Sequence, residues 1–222
     1  MNNKQRQIER DAARFMKARG SPKIFKLMKK FLKGELMSTC FSGGPLDDDH
    51  AAASSKHLLA LLAAGVVTDN GQQRLHTPDY QQRAYVSGTL LCPTESFVCS
   101  FIDNMRELGL HFATVSVEPN GHIEHTLHGE EKGPSRIEED GSWCPITCTN
   151  DQIFVTRTTE DGGQTHVFVD VDPFRIRLIS PDQYAVTFMV WESSWPKPGE
   201  VPPEPLELVL LRAIRMCSNE SA

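Results

Sequence analysis

Apolar residues recur at helical spacing in the first part of the chain and alternate with polar residues over much of the rest. The helical stretches end at glycines or begin at capping residues such as Ser, Asp and Thr, as helices commonly do. Ser54 or Ser55 is expected to restart the third of them as a separate helix. The pattern predicts helices over residues 8–17, 21–34, 47–65, 93–109 and 206–217.

Alternating apolar and polar positions, bounded by turn residues, predict strands. Residues 66–68 and 74–76 flank the turn Asp69-Asn70-Gly71 and are expected to form a two-stranded ribbon. The remaining predicted strands cover residues 112–118, 122–127, 153–159, 166–171, 174–179 and 184–191. Residues 80–91 are expected to be a linker, and residues 129–142 a long polar loop. The fold class is therefore α+β: a helical N-terminal domain at 1–86, then a mainly antiparallel sheet with flanking helices at 92–222.

Charge is distributed unevenly over these two regions. Residues 1–90 carry 14 basic and 8 acidic side chains, whereas residues 91–222 carry 9 basic and 21 acidic ones. The whole chain has a net charge of −6, yet its first 33 residues contain 11 basic and two acidic side chains. This division favours a first region that binds a polyanion and a second region that does not.

The second predicted helix concentrates that positive charge on one face. Its apolar residues and its lysines fall on opposite sides at 3.6 residues per turn, so the lysines could neutralise several phosphates. The lysines are Lys23, Lys26, Lys29, Lys30 and Lys33. A basic amphipathic helix can also lie on anionic lipid, but here the apolar residues are needed for the core of the domain.

A motif follows in residues 55–67, with the sequence SKHLLALLAAGVV. It resembles the recognition helix and first wing strand of winged helix-turn-helix repressors of the ArsR/MarR kind, and the resemblance covers roughly residues 21–80. In that family the start of the recognition helix enters the major groove, and the wing contacts phosphate. The resemblance thus implies DNA contacts at Ser54, Ser55, Lys56 and His57, and at Gln72, Gln73 and Arg74 at the wing tip. A long Gly-Pro-Asp insert precedes the motif, and the paired metal-binding cysteines of the sensor proteins are missing, so metal-sensing repression is not implied.

Two clusters could in principle bind metal ions. His122, His125 and His128 lie within seven residues, but strand alternation leaves only His122, Glu124 and His128 able to share a face. Asp170 and Asp172 end an apolar strand in an Asp-x-Asp arrangement that resembles the Mg²⁺-binding strand of some primases and nucleotidyltransferases. No second carboxylate motif follows, and an Asp before Pro is a common turn device. We therefore expect no metal, no cofactor and no catalytic residues.

The six cysteines show no disulfide pattern, and the longest mostly apolar run, residues 58–67, is about half of what a membrane-spanning helix needs. The N-terminus lacks the apolar core of a secretory signal, which predicts a cytoplasmic protein. The leading hypothesis is a sequence-specific DNA-binding transcriptional regulator of bacterial or phage origin. It would act as a homodimer, because one winged helix reads only a short half-site, and its C-terminal domain would bind an effector or dimerise. The alternatives are a protein-interaction module acting through the acidic domain and a metal-dependent nucleotide or nucleic-acid enzyme.

Overall fold

The chain folds into mixed helices and antiparallel sheets, as seen in a computed structural model, and this confirms the α+β class. The described residues are 3–39, 48–77, 80–129, 132–137, 143–149, 152–158, 164–170, 183–197, 199–200 and 203–219. The helices among them are α1 (Asn3–Lys17), α2 (Ser21–Leu32), α3 (Asp48–Ala63), α4 (Glu95–Glu107) and α5 (Leu206–Asn219). The strands are β1 (Val66–Gln72), β2 (Leu75–His76), β3 (Tyr80–Gln82), β4 (Tyr85–Cys92), β5 (His111–Val117), β6 (Ile123–His128), β7 (Lys132–Ile137), β8 (Trp143–Thr149), β9 (Gln152–Thr158), β10 (Gln164–Asp170) and β11 (Tyr184–Trp191).

Five strands form an antiparallel sheet in the order β1-β4-β11-β5-β6. Helices α4 and α5 pack on one face of this sheet, where Phe101 of α4 meets Phe188 of β11 in an edge-to-face contact at 5.9 Å. Asn104 fixes the two helices to each other, because its Nδ2 donates to the carbonyl of Ala213 at 3.1 Å. The main apolar core therefore lies between this helix pair and the sheet.

The prediction of a linker at 80–91 is wrong over most of its length. Residues 85–92 form β4, which is hydrogen-bonded to β1 on one side and to β11 on the other. Strand β4 is nearly all buried, including its polar residues Ser87 and Thr89. One sheet thus contains strands from both predicted domains. The predicted boundary between the domains, at residues 86–92, lies within strand β4 of that sheet.

The predicted ribbon is wrong as well. Strand β1 pairs with β4, and the short β2 pairs with β3. Strand β3 continues into a second antiparallel sheet, whose order is β10-β9-β8-β7-β3-β2. Within that sheet, β7 occupies residues 132–137 of the predicted polar loop. The sequence 66–76 therefore connects two sheets.

Helix α3 lies between two apolar clusters. Leu61 belongs to the main core, while Leu62 belongs to a second core formed with residues of α1 and α2. Leu58 packs against both cores. The expected restart at Ser54 or Ser55 is not observed, because α3 runs continuously from Asp48 to Ala63.

A β-bulge between Thr68 and Asn70 accompanies an unusually close approach of β1 to β4. A Cβ atom on Gly88 would lie 2.6 Å from the carbonyl oxygen of Val67 and 3.0 Å from Cα of Thr68. Only glycine allows this approach without a shift of the backbone. Gly88 lies in the predicted linker, but in the structure it is a fixed packing position.

Candidate nucleic-acid interface

Helix α2 exposes its lysines and buries its apolar face, as predicted. Ile24, Met28, Phe31 and Leu32 are buried in the second core. The lysines opposite them are all exposed: Lys23, Lys26, Lys29, Lys30 and Lys33. The helix begins after Gly20 without a side-chain cap, and Gly34 with φ 74° follows its end. We call this set of five side chains the lysine face.

Residues 54–57 were predicted to enter the major groove from the start of a recognition helix, but they lie in the middle of the continuous helix α3. Lys56 is exposed, whereas Ser55 and His57 are half-buried. Ser54 is part of the helix, but its side chain lies outside the described residues. Because α3 is packed on two sides, its described side chains from Ser55 onward leave only Lys56 and Ala63 exposed. Among the described side chains of α3, Lys56 is therefore the exposed charge that a partner could contact.

Two of the three residues predicted to form the wing tip, Gln73 and Arg74, contact other parts of the protein. Gln72 is exposed at the end of β1, but the Nε2 of Gln73 donates to Oε1 of Glu207 in α5 at 3.2 Å. Arg74 is 11% exposed and forms ion pairs with Glu192 at 2.9 Å and with Glu200 at 3.5 Å. It also donates to the backbone carbonyl and hydroxyl of Ser194. Gln73 and Arg74 thus bind α5 and the segment that leads to it from β11.

Glu192 is the centre of these contacts. Its Oε2 accepts a hydrogen bond from the backbone N–H of Ala84 at 3.2 Å and lies 2.9 Å from Nε of Arg74. Burial raises the pKa of this carboxyl above its ordinary value, although the Ala84 hydrogen bond and the nearby Arg74 and Arg83 act in the opposite direction.

A second arginine holds the same segment, and sequence reasoning did not single it out. Arg83 is fully buried between β3 and β4, and it donates to the carbonyls of Glu192 and Ser193 at 3.2 and 3.3 Å. The guanidinium carbon lies 4.0 Å from the centre of the Trp195 ring, in a cation–π contact. No local motif marks this residue, because these partners are more than 100 positions away in the sequence.

The candidate metal ligands do not come together among the described residues. No group of three His, Cys, Asp or Glu side chains within that part of the chain could hold a metal ion. His122 is exposed next to the turn, and His128 stacks on Phe112 at 5.2 Å. Asp170 ends β10, where side chains are not described, and Asp172 lies outside the described residues.

Three cysteines have side chains among the described residues. Cys92 and Cys217 are buried in the main core, and Cys99 is exposed on α4. Burial raises the pKa of the Cys92 thiol, which keeps it in the unreactive protonated form. The side chains of Cys144 and Cys148 lie outside the described residues.

Comparison with known proteins adds no assignment. The sequence matches no model of a protein family and no curated protein. Within the described part of the chain, no helix is both long and apolar enough to cross a membrane.

Proposed function

We propose that the protein binds double-stranded DNA through the lysine face of α2 and residues 54–57 of α3, and that it acts as a transcriptional regulator. The observation that carries the proposal is the exposure of five lysines on one helical face, directly opposite the buried apolar residues of the same helix. A row of ammonium groups of this kind binds phosphates by releasing the counterions condensed on DNA.

A membrane surface is a weaker partner for the same helix. Binding to lipid requires the apolar face of an amphipathic helix to enter the bilayer interface. In α2 that face is occupied, because Ile24 and Met28 are 1% and 2% exposed within the second core. What remains for a partner is positive charge without an apolar surface, and this favours a phosphate backbone.

The winged-helix resemblance gives the proposal its base-reading element. In this view α2 and α3 are the helix-turn-helix pair, with Lys56 and His57 as the base-reading residues near the middle of α3. The packing of α2 against α3 and of α3 against β1 supports this assignment. The two strands of a wing do not pair here, because β1 pairs with β4 and β2 with β3, and Arg74 is engaged by Glu192 and Gln73 by Glu207. Most of the affinity would therefore come from α2.

The proposal also includes a homodimer, an effector-binding or dimerising role for the acidic C-terminal half, and a cytoplasmic site of action.

The test is fluorescence anisotropy with labelled duplexes, one from the DNA upstream of the protein's own gene and one of scrambled sequence, over a series of salt concentrations. One variant replaces Lys26, Lys29, Lys30 and Lys33 by Gln. A matched control removes the same charge elsewhere by replacing Arg106, Lys197, Arg212 and Arg215, which are all exposed. The slope of log K against log salt should fall by about 0.9 for each phosphate that the α2 variant no longer binds, and it should change little in the control.

A preference for the upstream duplex that disappears in Lys56→Ala would support sequence reading by α3. Failure of the wild-type protein to bind either duplex would overturn the proposal, as would an equal loss of affinity in the two quadruple variants. In those cases the winged helix would be a protein-contact fold, and the acidic half would be the place to seek a protein partner.

A further inference from the structure

Helix α1 carries a second row of positive charge that the winged-helix resemblance does not cover. Arg6, Arg10 and Lys17 are exposed and fall on one side of the helix at 3.6 residues per turn. The buried residues of α1, Asp11 and Phe15, fall on the opposite side. Among the described residues of this helix, Glu9 is the one acidic residue that is exposed. The helix thus has a basic outer face of its own.

The helix is attached to the rest of the protein mainly through its C-terminal half. Residues 3–10 include no buried side chain, so the N-terminal half of α1 does not enter the core. Phe15 anchors the C-terminal half in the second core. A hydrogen bond from the backbone N–H of Met37 to Oδ2 of Asp11, at 3.0 Å, ties the middle of the helix to the chain beyond α2.

Asp11 is fully buried and uses both of its carboxylate oxygens. Its Oδ1 accepts hydrogen bonds from Gln7 at 2.9 Å and from Arg14 at 3.1 Å, while Oδ2 is bonded to Met37. Met37 follows α2 and is next in sequence to Leu36, which is buried in the second core. The carboxylate therefore sets the direction of α1 relative to the segment that follows α2.

We propose that α1 is a second phosphate-binding element for duplex DNA, with contacts from Arg6, Arg10 and Lys17, and that Asp11 is the positioning residue that holds it in place. This inference rests on the proposed function, since it adds a second contact surface to the same DNA-binding protein. Contacts to the phosphate backbone carry no base information, so α1 would strengthen binding to all sequences alike.

The position of Asp11 allows a decisive test, because charge and geometry predict opposite results. Asp11→Asn removes a negative charge from a basic region, and a pure charge effect would strengthen DNA binding. A positioning role predicts weaker binding, since α1 would no longer be held in one orientation. Glu9→Gln makes the same change of charge at an exposed position on the same helix and is the matched control.

The experiment measures the salt dependence of anisotropy for the full-length wild type, Asp11→Asn, Glu9→Gln and a triple variant with Arg6, Arg10 and Lys17 replaced by Gln. We expect the triple variant to lower the salt slope by about 2.7 and to weaken binding about tenfold or more. Asp11→Asn should likewise lower the salt slope and weaken binding. Glu9→Gln should bind DNA as tightly as the wild type or more tightly.

The triple variant keeps the test independent of folding, because it changes exposed side chains alone. If the wild type binds and affinity falls on removal of the α2 lysines, but the triple variant retains the full slope, α1 makes no contact and this inference is overturned. Tighter binding by both Asp11→Asn and Glu9→Gln would exclude the positioning role. Absence of binding by the wild type would instead overturn the proposed function itself.

Discussion

The side chain of Arg74 lies with its Nε 2.9 Å from Oε2 of Glu192, and both side chains are nearly buried, at 11% and 12% exposure. The two residues are far apart in sequence and join the β1–β2 connection to the end of β11. A buried ion pair contributes little net stability, but removal of one partner leaves the other charge buried and uncompensated.

Replacement of Arg74 by Ala should therefore destabilise the protein by about 2–4 kcal/mol. The free energy of unfolding from urea titration is the measurement. Arg106→Ala is the control, because Arg106 forms an exposed ion pair with Asp103, and such pairs contribute about 0–1 kcal/mol. A stable Arg74→Ala protein with a reduced salt slope for DNA would show instead that this arginine contacts phosphate.

Glu192 should make stability depend on pH. Burial raises the pKa of its carboxyl above the ordinary value of 4.5, so the folded protein holds the proton more tightly than the unfolded chain does. Stability linked to this group is then highest below pH 4.5 and falls as the pH rises through the folded-state pKa. In Glu192→Gln this component is absent, so the stability of the wild type relative to the variant should decrease as the pH rises above 4.5. A difference that rises with pH would contradict the raised pKa.

Gly88→Ala should lower the free energy of unfolding because of a steric clash and not because of a strained φ angle. The added methyl group would meet the backbone of Val67 at 2.6 Å, and the two strands would have to separate. We expect a loss of about 1–3 kcal/mol in urea unfolding, typical of overpacking. Gly121→Ala is the comparison: its φ of 83° is strained for alanine, but no atom lies within 4 Å of the new Cβ. An equal or smaller loss at Gly88 would argue against the close approach of β1 and β4.

The thiols should differ sharply in reactivity. A short pulse of iodoacetamide, followed by peptide mapping by mass spectrometry, should label Cys99 in the native protein. Cys92 and Cys217 should react only after unfolding, because they are buried and the pKa of the Cys92 thiol is raised. Labelling of Cys92 at the rate of Cys99 under native conditions would show that the main core opens readily.

The elements that were predicted correctly are those whose signals are local. Helix α4 is an example: Thr94 caps it through a hydrogen bond from the N–H of Phe97, and its apolar stripe includes Phe101 and Met105. Helix α2 was similarly predictable, because its lysines and its buried residues alternate at helical period. Local spacing was thus sufficient for the lysine face of the candidate site.

Strand β4 was missed because burial on both faces of a central strand produces no alternation. Ser87, Gly88 and Thr89 appear polar or flexible in sequence, yet each is paired inside the sheet; Thr89 Oγ1, for example, lies 3.2 Å from Thr187 Oγ1. The role of Arg83 was equally hidden, since its environment is formed by His111, Glu192 and Trp195 from distant parts of the chain. Only the tertiary structure could reveal these contacts.

The central position of β4 also has a consequence for how the chain folds as it is synthesised. Thr89 and Thr187 are 98 residues apart, so one edge of β4 has no β11 partner until the segment between them has been synthesised. Pairings at such a separation carry a large loop-closure entropy and slow the folding rate. During that interval the nascent chain presents an open, largely apolar strand edge, which is the type of surface that chaperones bind and that aggregation begins from.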